Sequence, residues 1–357
     1  MLFIVLVIHA IYFNIPLNYT DEIAIYDAGS SGTRIHIFRL ENSKIEEINK
    51  GYHTKPGISS INEYIPYFKP FAEYVKQNAF NGIPNYVLAT AGMRLLPDKN
   101  VTDKFTKIKS ALIAHNLVPN EVRIISGEEE GLYGFLSTLD LSHIPSNKLA
   151  VLDMGGASLQ LSFVEKSQGT VKTSTGTEDL SIFSHSWLGF GRDQAKLKLD
   201  RLLTSNHTIC GVFNPCAIHS LDNKCIIPQV NIPKCRVFLK SIVKTKECVS
   251  NTLCKLDKPI HVPDNLSWYG ASEFHYALSQ LMNSNHINVI EARKAAELKC
   301  KTDKTFDCFS ALWTLEILDI LSVQDIYVPL EINNNEMTWT RGFAVHYFFQ
   351  KHHQRNK

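Results

Sequence analysis

"IAIYDAGSSGTRIHIF", residues 23–38, decides how the chain is read. A short apolar run ends in Asp27, and Gly29, Ser30 and Ser31 follow almost at once. Alternation of apolar and polar residues then resumes with Ile35 and Ile37, which predicts strand, bend, strand. Gly29 and Gly32 leave backbone N–H groups free to converge, and Ser30, Ser31 and Thr33 add hydroxyl donors. Such a concavity suits an anion, phosphate above all. Asp27 beside phosphate calls for a cation between them, a need that a hydrated divalent metal meets. Taken alone, the stretch fits a ligand-free hairpin turn equally well.

A second stretch, "LAVLDMGGASLQLSFV" at 149–164, repeats the plan. Asp153 ends the apolar run, Gly155, Gly156 and Ala157 leave the backbone unhindered, and Leu159, Leu161 and Phe163 form the apolar set of the next strand. By strand parity Ser158 and Gln160 leave that apolar face, where they can fix a water molecule. Neither copy is a Walker loop: G-x-x-x-x-G-K-[ST] is absent and a strand follows each bend. Two acid-tipped bends predict two similar lobes that grip one ligand from opposite sides of a cleft.

Between the copies, "NYVLATAGMRLL" (85–96) reads as strand, tight turn and helix start. Its Thr90 is placed to reach a metal's water shell, whereas Arg94 is expected to hold structure. Residues 101–115 read as a helix with Val101, Phe105, Ile108, Leu112 and Ile113 near one face. "EVRIISGEEEGLYGFLSTL" (121–139) reads as strand, turn and helix. Of Glu128, Glu129 and Glu130, two are accounted for as acids favoured in a first helical turn. The third, held near like charges and phosphate, has its pKa raised and suits general-base work. "EARKAAELKC" (291–300) and "TRGFAVHYFFQKHH" (340–353) read as helices, the latter returning to the first lobe.

With 357 residues the chain is long enough for two lobes with real cores. A net charge of +2 gives no basic field and excludes nucleic acid as the evident partner. The apolar start "MLFIVLVIHAIYFNIPL" reads as a cleaved signal peptide over residues 1–18, with a signal anchor or a buried strand as competing readings. No second long apolar segment follows, so a soluble mature protein without a stable membrane span is expected. Sequons occur at Asn18, Asn100, Asn206 and Asn265. All eight cysteines lie at or after Cys210 and none form C-x-x-C, which argues for local disulfides in an oxidising compartment rather than for zinc.

Taken jointly, "DAGSSGTR", "ATAGMR", "GEEEG", "LDMGGASLQ" and "TWTRGF" resemble, in order, the motifs of the apyrase, or nucleoside triphosphate diphosphohydrolase, family. "KPGIS" (55–59), "SHSWLGFG" (184–191) and "INNNEMTW" (332–339) extend the match. Gly-Thr-Arg after Ser31 is most similar to the soluble nucleoside-diphosphatase branch of the endoplasmic reticulum and Golgi lumen. The resemblance implies an α/β, two-lobed actin/Hsp70-like (RNase H-like) fold with the nucleotide in the interlobe cleft. It implies lobe I over 19–126 with a C-terminal return at 331–357, and lobe II over 127–330 with the disulfide-bearing loops. It assigns Glu130 as base, Asp27 and Asp153 to a hydrated Ca²⁺ or Mg²⁺, and Ser158 and Gln160 to the attacking water. Ser30, Ser31, Gly32, Thr33, Gly155, Gly156 and Ala157 match the phosphate cradle, and Trp339 lines the cleft.

"SWYGASEFHY" (267–276) matches a block near the nucleobase, with Phe274 and Tyr276 as stacking candidates against the reading of its aromatics as core. The implied bridges are Cys216–Cys235 and Cys300–Cys308; of the four extra cysteines, Cys248–Cys254 is one expected pair. Thr340 and Arg341 stand where relatives carry small residues, which bears on base selectivity. The expected activity is hydrolysis of the terminal phosphate of nucleoside diphosphates by a secreted or luminal monomer. A broad apyrase cleaving ATP and ADP is the alternative. An exopolyphosphatase-like enzyme is disfavoured by the signal-like start, the cysteines and "SHSWLGFG". A pure nucleotide binder is disfavoured because it has no use for Glu130, Ser158 and Gln160 together.

Overall fold

The first quoted stretch folds as the alternation demands. Strands β1 (Asp21–Ala28) and β2 (Thr33–Glu41) pair antiparallel with Asp27 opposite Arg34 at the bend. In this computed structural model the described residues are 21–166, 170–174, 179–204, 216, 220–221, 225–226, 230–243, 260–303 and 305–355. β2 also pairs with β3 (Lys44–Glu47) and β4 (Tyr52–Thr54), while β5 (Asn85–Ala89) and β6 (Glu121–Ile124) extend the sheet in parallel from β1. β1 is covered on both faces, so its apolar residues divide by parity. Ala24, Tyr26 and Ala28 pack with Phe68, Phe71 and Val75 of α1 (Tyr64–Asn78), whereas Ile23 and Ile25 face the other way.

After a single turn, α2 (Ala91–Arg94), comes α3 (Asp98–Ala114). It buries Ile108, Ala111 and Leu112. Ile113, expected on that face, is 56% exposed. The i, i+3, i+4 stripe runs through Ala111 instead, which turns position 113 to solvent.

The second copy seeds the second sheet. β7 (Leu149–Met154) and β8 (Ser158–Val164) form its hairpin, with Asp153 opposite Gln160. β9 (Val171–Ser174), β10 (Asp179–Leu188), β11 (Ser267–Ser272), β12 (His286–Asn288) and β13 (Asp325–Tyr327) complete the order β12-β13-β11-β7-β8-β10-β9. Its outer core joins Leu152, Leu161 and Phe163 to Phe274 and Trp313. The helices supplying that cover are α5 (Arg192–Thr204), α6 (Ile232–Val243), α7 (Glu273–Met282), α8 (Val289–Thr302) and α9 (Cys308–Ile320).

Two helices fill the space between the sheets. α4 (Gly127–Ser142) and α10 (Trp339–Arg355) pack against each other more extensively than any other pair of elements among the described residues. Their core unites Ile23, Ile25 and Leu88 of the first sheet with Leu149, Val151 and Ile182 of the second, around Phe135, Phe343 and Phe348. The C-terminal helix touches strands of the first sheet, and most of its face lies on α4. Bridges Cys216–Cys235 and Cys300–Cys308 are formed. Residues 1–18, Asn18, Asn206, Cys210, Cys248 and Cys254 fall outside the described residues, as does the side chain of Cys225. No described helix is long and apolar enough to cross a membrane.

The α4–α10 contact has no spare volume at Gly342, where a Cβ would overlap the backbone of Tyr133. Gly342→Ala is therefore expected to cost about 1–3 kcal/mol through overpacking. A denaturant titration checks this; an unchanged midpoint contradicts it.

Candidate active site

The two bends meet. A Cβ on Gly156 would lie 2.8 Å from Ser30 Oγ and 2.6 Å from the Asp193 carboxylate. The second bend is therefore glycine because the first bend approaches it too closely for a side chain. Around this junction lies a cavity of about 620 Å³. Asp27, Ser30, Ser31 and Gly32 line it from the first hairpin, and Asp153, Gly155, Gly156, Ala157 and Ser158 from the second. Thr90, Glu130, Tyr276 and Trp339 also reach it.

Glu130 gets there because α4 starts unusually close to the second sheet. Gly127 and Gly131 sit on one helix face, and a Cβ on either would overlap Ser186 or Ser184 of β10. Ser126 and Glu129 form a capping box, and Glu129 also binds Arg123, so this acid serves the helix start. Glu130 alone of the three turns inward and is buried. Its Oε2 accepts from Arg94 Nη2 at 2.7 Å and from Gln160 Nε2 at 3.2 Å. Arg94 Nη2 also donates to Ser158 Oγ at 3.1 Å, and Gln160 Nε2 to Ser158 Oγ at 2.7 Å. These hydrogen bonds of Glu130 fall on one oxygen, leaving Oε1 without a share in them.

Burial dominates the protonation of all three acids. It raises Glu130 to about 7; Asp153 and Asp27 add to the rise, and Arg94 opposes it. It raises Asp27 to about 6 against the pull of His36, Arg34 and a Trp339 hydrogen bond. It raises Asp153 as well, against a hydrogen bond from Ser272. Asp27 Oδ1 and Asp153 Oδ1 are buried and have no hydrogen-bond partner among the described residues. A divalent cation fits such orphaned acceptors. Among the described residues no group of three or more His, Cys, Asp or Glu side chains could hold a metal. The chain would then offer two carboxylates, with water and phosphate oxygens completing the shell.

Three sequence expectations need correction. Thr33 does not line the cavity: it is fully buried on the Ile35 side of β2, and its Oγ1 accepts from Tyr67 Oη at 2.9 Å. Phe274 is not a stacking residue but a fully buried core side chain, whereas Tyr276 is 49% exposed and lines the cavity. Arg341 bears on packing rather than on base selectivity. It is buried and donates to Asp140 Oδ2, Asn335 Oδ1 and the carbonyl of Ile45, and Thr340 is buried beside it. Gln160 stands one layer behind the wall, touching Glu130 and Ser158.

The sequence reading missed the contact of Arg94 with the candidate base. It also missed Phe306 and Asp307, which enter the wall from the loop closed by Cys300–Cys308. That pair of cysteines eight residues apart was the available signal.

Raised acid pKa values fix a sign for stability. Between the ordinary carboxylate range, near 4, and about 7 the folded chain binds more protons than the unfolded one. Metal-free protein is therefore expected to lose stability as pH rises through this window and to level off above it. Added Ca²⁺ should restore stability at pH 7–8 far more than at pH 4.5. Thermal melts with chelator and with Ca²⁺ check both; stability that rises across the window without metal contradicts the assignment.

A family model for GDA1/CD39 (nucleoside phosphatase) matches residues 19–356. The chain is similar to bovine (Bos taurus) ectonucleoside triphosphate diphosphohydrolase 1, 24% identical with 90% of this chain and 80% of the relative covered. It is similar to guanosine-diphosphatase of Saccharomyces cerevisiae at 28% identity over 61% of this chain and 49% of the relative. Among solved structures it superposes on nucleoside triphosphate hydrolase of Neospora caninum with a TM-score of 0.58 at 13% identity, covering 93% of both chains. The Ppx/GppA protein of Aquifex aeolicus gives a TM-score of 0.57 at 15% identity, with 93% of this chain and 98% of that one covered. At such identities these two structures establish the shared two-lobed actin/Hsp70-like fold alone. With the model match spanning nearly its whole length, the chain belongs to the GDA1/CD39 nucleoside phosphatase family.

Proposed function

We propose that the chain hydrolyses the terminal phosphate of nucleoside diphosphates such as UDP and GDP, using a divalent cation and a water activated by Glu130. The observation that carries this reading is the placement of Glu130 in the same cavity as Asp27 and Asp153, with the two latter each holding an unpartnered buried oxygen. Burial that lifts the Glu130 carboxyl toward neutral pH suits it to taking a proton from water.

In this reading Ser30, Ser31 and the backbone of Gly155–Ala157 hold the phosphates between the two bends. Ser158 and Gln160 orient the water, and Thr90 completes the polar wall. Arg94 holds Oε2 of Glu130, so Oε1 takes the water proton as the oxygen attacks the terminal phosphorus. The bond from phosphorus to the bridging oxygen breaks, the nucleoside monophosphate leaves, and the proton passes from Glu130 to solvent. Asp27 and Asp153 would hold a Ca²⁺ or Mg²⁺, which would supply positive charge against the phosphate oxygens. Tyr276 and Phe306, both on the cavity wall, offer aromatic faces to the base.

A second reading, removal of phosphate from both ATP and ADP, is supported by Arg34 and Lys55 on the first-lobe side of the cavity, charge that a third phosphate would use. Either activity is assigned to the secretory lumen or beyond, where the two bridges persist.

Phosphate release from UDP, GDP, ADP and ATP with Ca²⁺ or Mg²⁺ separates the two readings: preference for diphosphates supports the first, equal turnover of ATP the second. Glu130→Gln is expected to lower kcat by about 10²–10⁴-fold under either. Wild-type rates in that variant would remove the mechanism.

A further inference from the structure

Between the second bend and Tyr276 the cavity wall is charged, and none of that charge is needed for proton transfer. Arg192 is its hub. Nη1 donates to Asp193 Oδ1 at 2.8 Å, Nη2 to Asp307 Oδ2 at 2.5 Å, and Nε to Ser310 Oγ at 2.7 Å. Nε also stands 3.5 Å from Glu273 Oε1. Three carboxylates thus share one guanidinium, and all four side chains line the cavity that contains the orphaned oxygens of Asp27 and Asp153.

The backbone fixes where this network lies along a bound nucleotide. The N–H groups of Arg192 and Asp193 donate to the carbonyls of Gly155 and Gly156 at 3.0 and 2.8 Å, which ties the hub to the second bend. On β11, Ala271 is in register with Asp153 and Ser272 with Met154, so Glu273 follows directly beside the phosphate end of the cavity. Tyr276 and Gln280 lie three and seven residues on, along the same face of α7, and both line the cavity. A nucleotide with its phosphates at the bends and its base against Tyr276 must lay its sugar over Glu273.

We propose that Glu273, held by Arg192, is a specificity-determining residue that accepts a hydrogen bond from a ribose hydroxyl of the substrate. This rests on the reading of the chain as a nucleotide phosphatase. The excess negative charge of the network repels phosphate and favours neutral donors, and a carboxylate is an acceptor with two oxygens to offer. Asp307 is less available. Its Oδ1 caps α9 by accepting from the Ser310 N–H, and its Oδ2 takes both Arg192 and the Ser310 hydroxyl. Glu273 shares a hydrogen bond with Ser310, but its contact with Arg192 is longer than a hydrogen bond, so it keeps acceptor capacity, and its side chain is only 15% exposed, which shields the bond from water.

The test compares GDP with 2′-deoxy-GDP and 3′-deoxy-GDP on the full chain with Ca²⁺ present, by steady-state kinetics and by calorimetric binding. Wild type is expected to favour GDP over at least one deoxy analogue by about tenfold or more in kcat/KM, the worth of a hydrogen bond to a charged group. Glu273→Ala should bring that ratio close to one, chiefly through KM for GDP. Glu273→Gln, which keeps an acceptor and the side-chain volume, should retain part of it and serves if the alanine variant does not fold. Equal handling of all three nucleotides by wild type, or undiminished discrimination in both variants, overturns the proposal. If no nucleotide releases phosphate, the hydrolase reading fails, and the ratio of calorimetric Kd values on wild type still decides the subsite: a ratio near one rejects it.

Discussion

Two buried carboxylates, one from each sheet, end in oxygens that no donor among the described residues satisfies. Burying charge without a partner is among the costliest things a fold does, and both acids answer by holding protons more tightly than usual. Most of the surrounding architecture follows from keeping them together. The bends touch through Ser30 and Gly156, each hairpin ends its apolar run at the acid, and hydrogen bonds from Trp339 and Ser272 lower the pKa of Asp27 and Asp153 respectively against the rise from burial. In the proposed reading a cation between them would turn this cost into a binding site for phosphate.

The layer between the sheets makes the arrangement rigid. α4 carries Glu130 at its first turn and shares a core with both sheets and with α10. The helix that presents the candidate base is thus also the wedge between the lobes. Arg341 extends the brace by joining α4 through Asp140 to the first sheet through the Ile45 carbonyl.

Much of this was legible in the chain because the signals are local. Each hairpin is a period-two run, a bend and a second run, and parity alone sends Ser158 and Gln160 off the apolar face. The same parity, applied to β2, puts Thr33 with Ile35 in the core, a consequence the motif match overrode. Phe274 and Tyr276 are two apart on α7, where positions i and i+2 cannot share a face, so only one can reach the cavity. Arg94 was out of reach for another reason. Its partners Glu130 and Ser158 lie on other elements, and nothing in "ATAGMR" announces a contact made across the fold. Phe306 and Asp307 sit in a loop without periodicity, placed in the wall by a bridge between helices.

The most direct measurement is a crystal structure of the Glu130→Gln protein with Ca²⁺ and a non-hydrolysable nucleoside diphosphate analogue. The account predicts a cation peak bounded by the Asp27 and Asp153 carboxylates, directly or through single waters, with the diphosphate against Ser30–Ser31 and Gly155–Ala157. Cation and diphosphate bound away from the junction of the two bends, or the substituted side chain at position 130 turned out of the cavity in the complex, would contradict it.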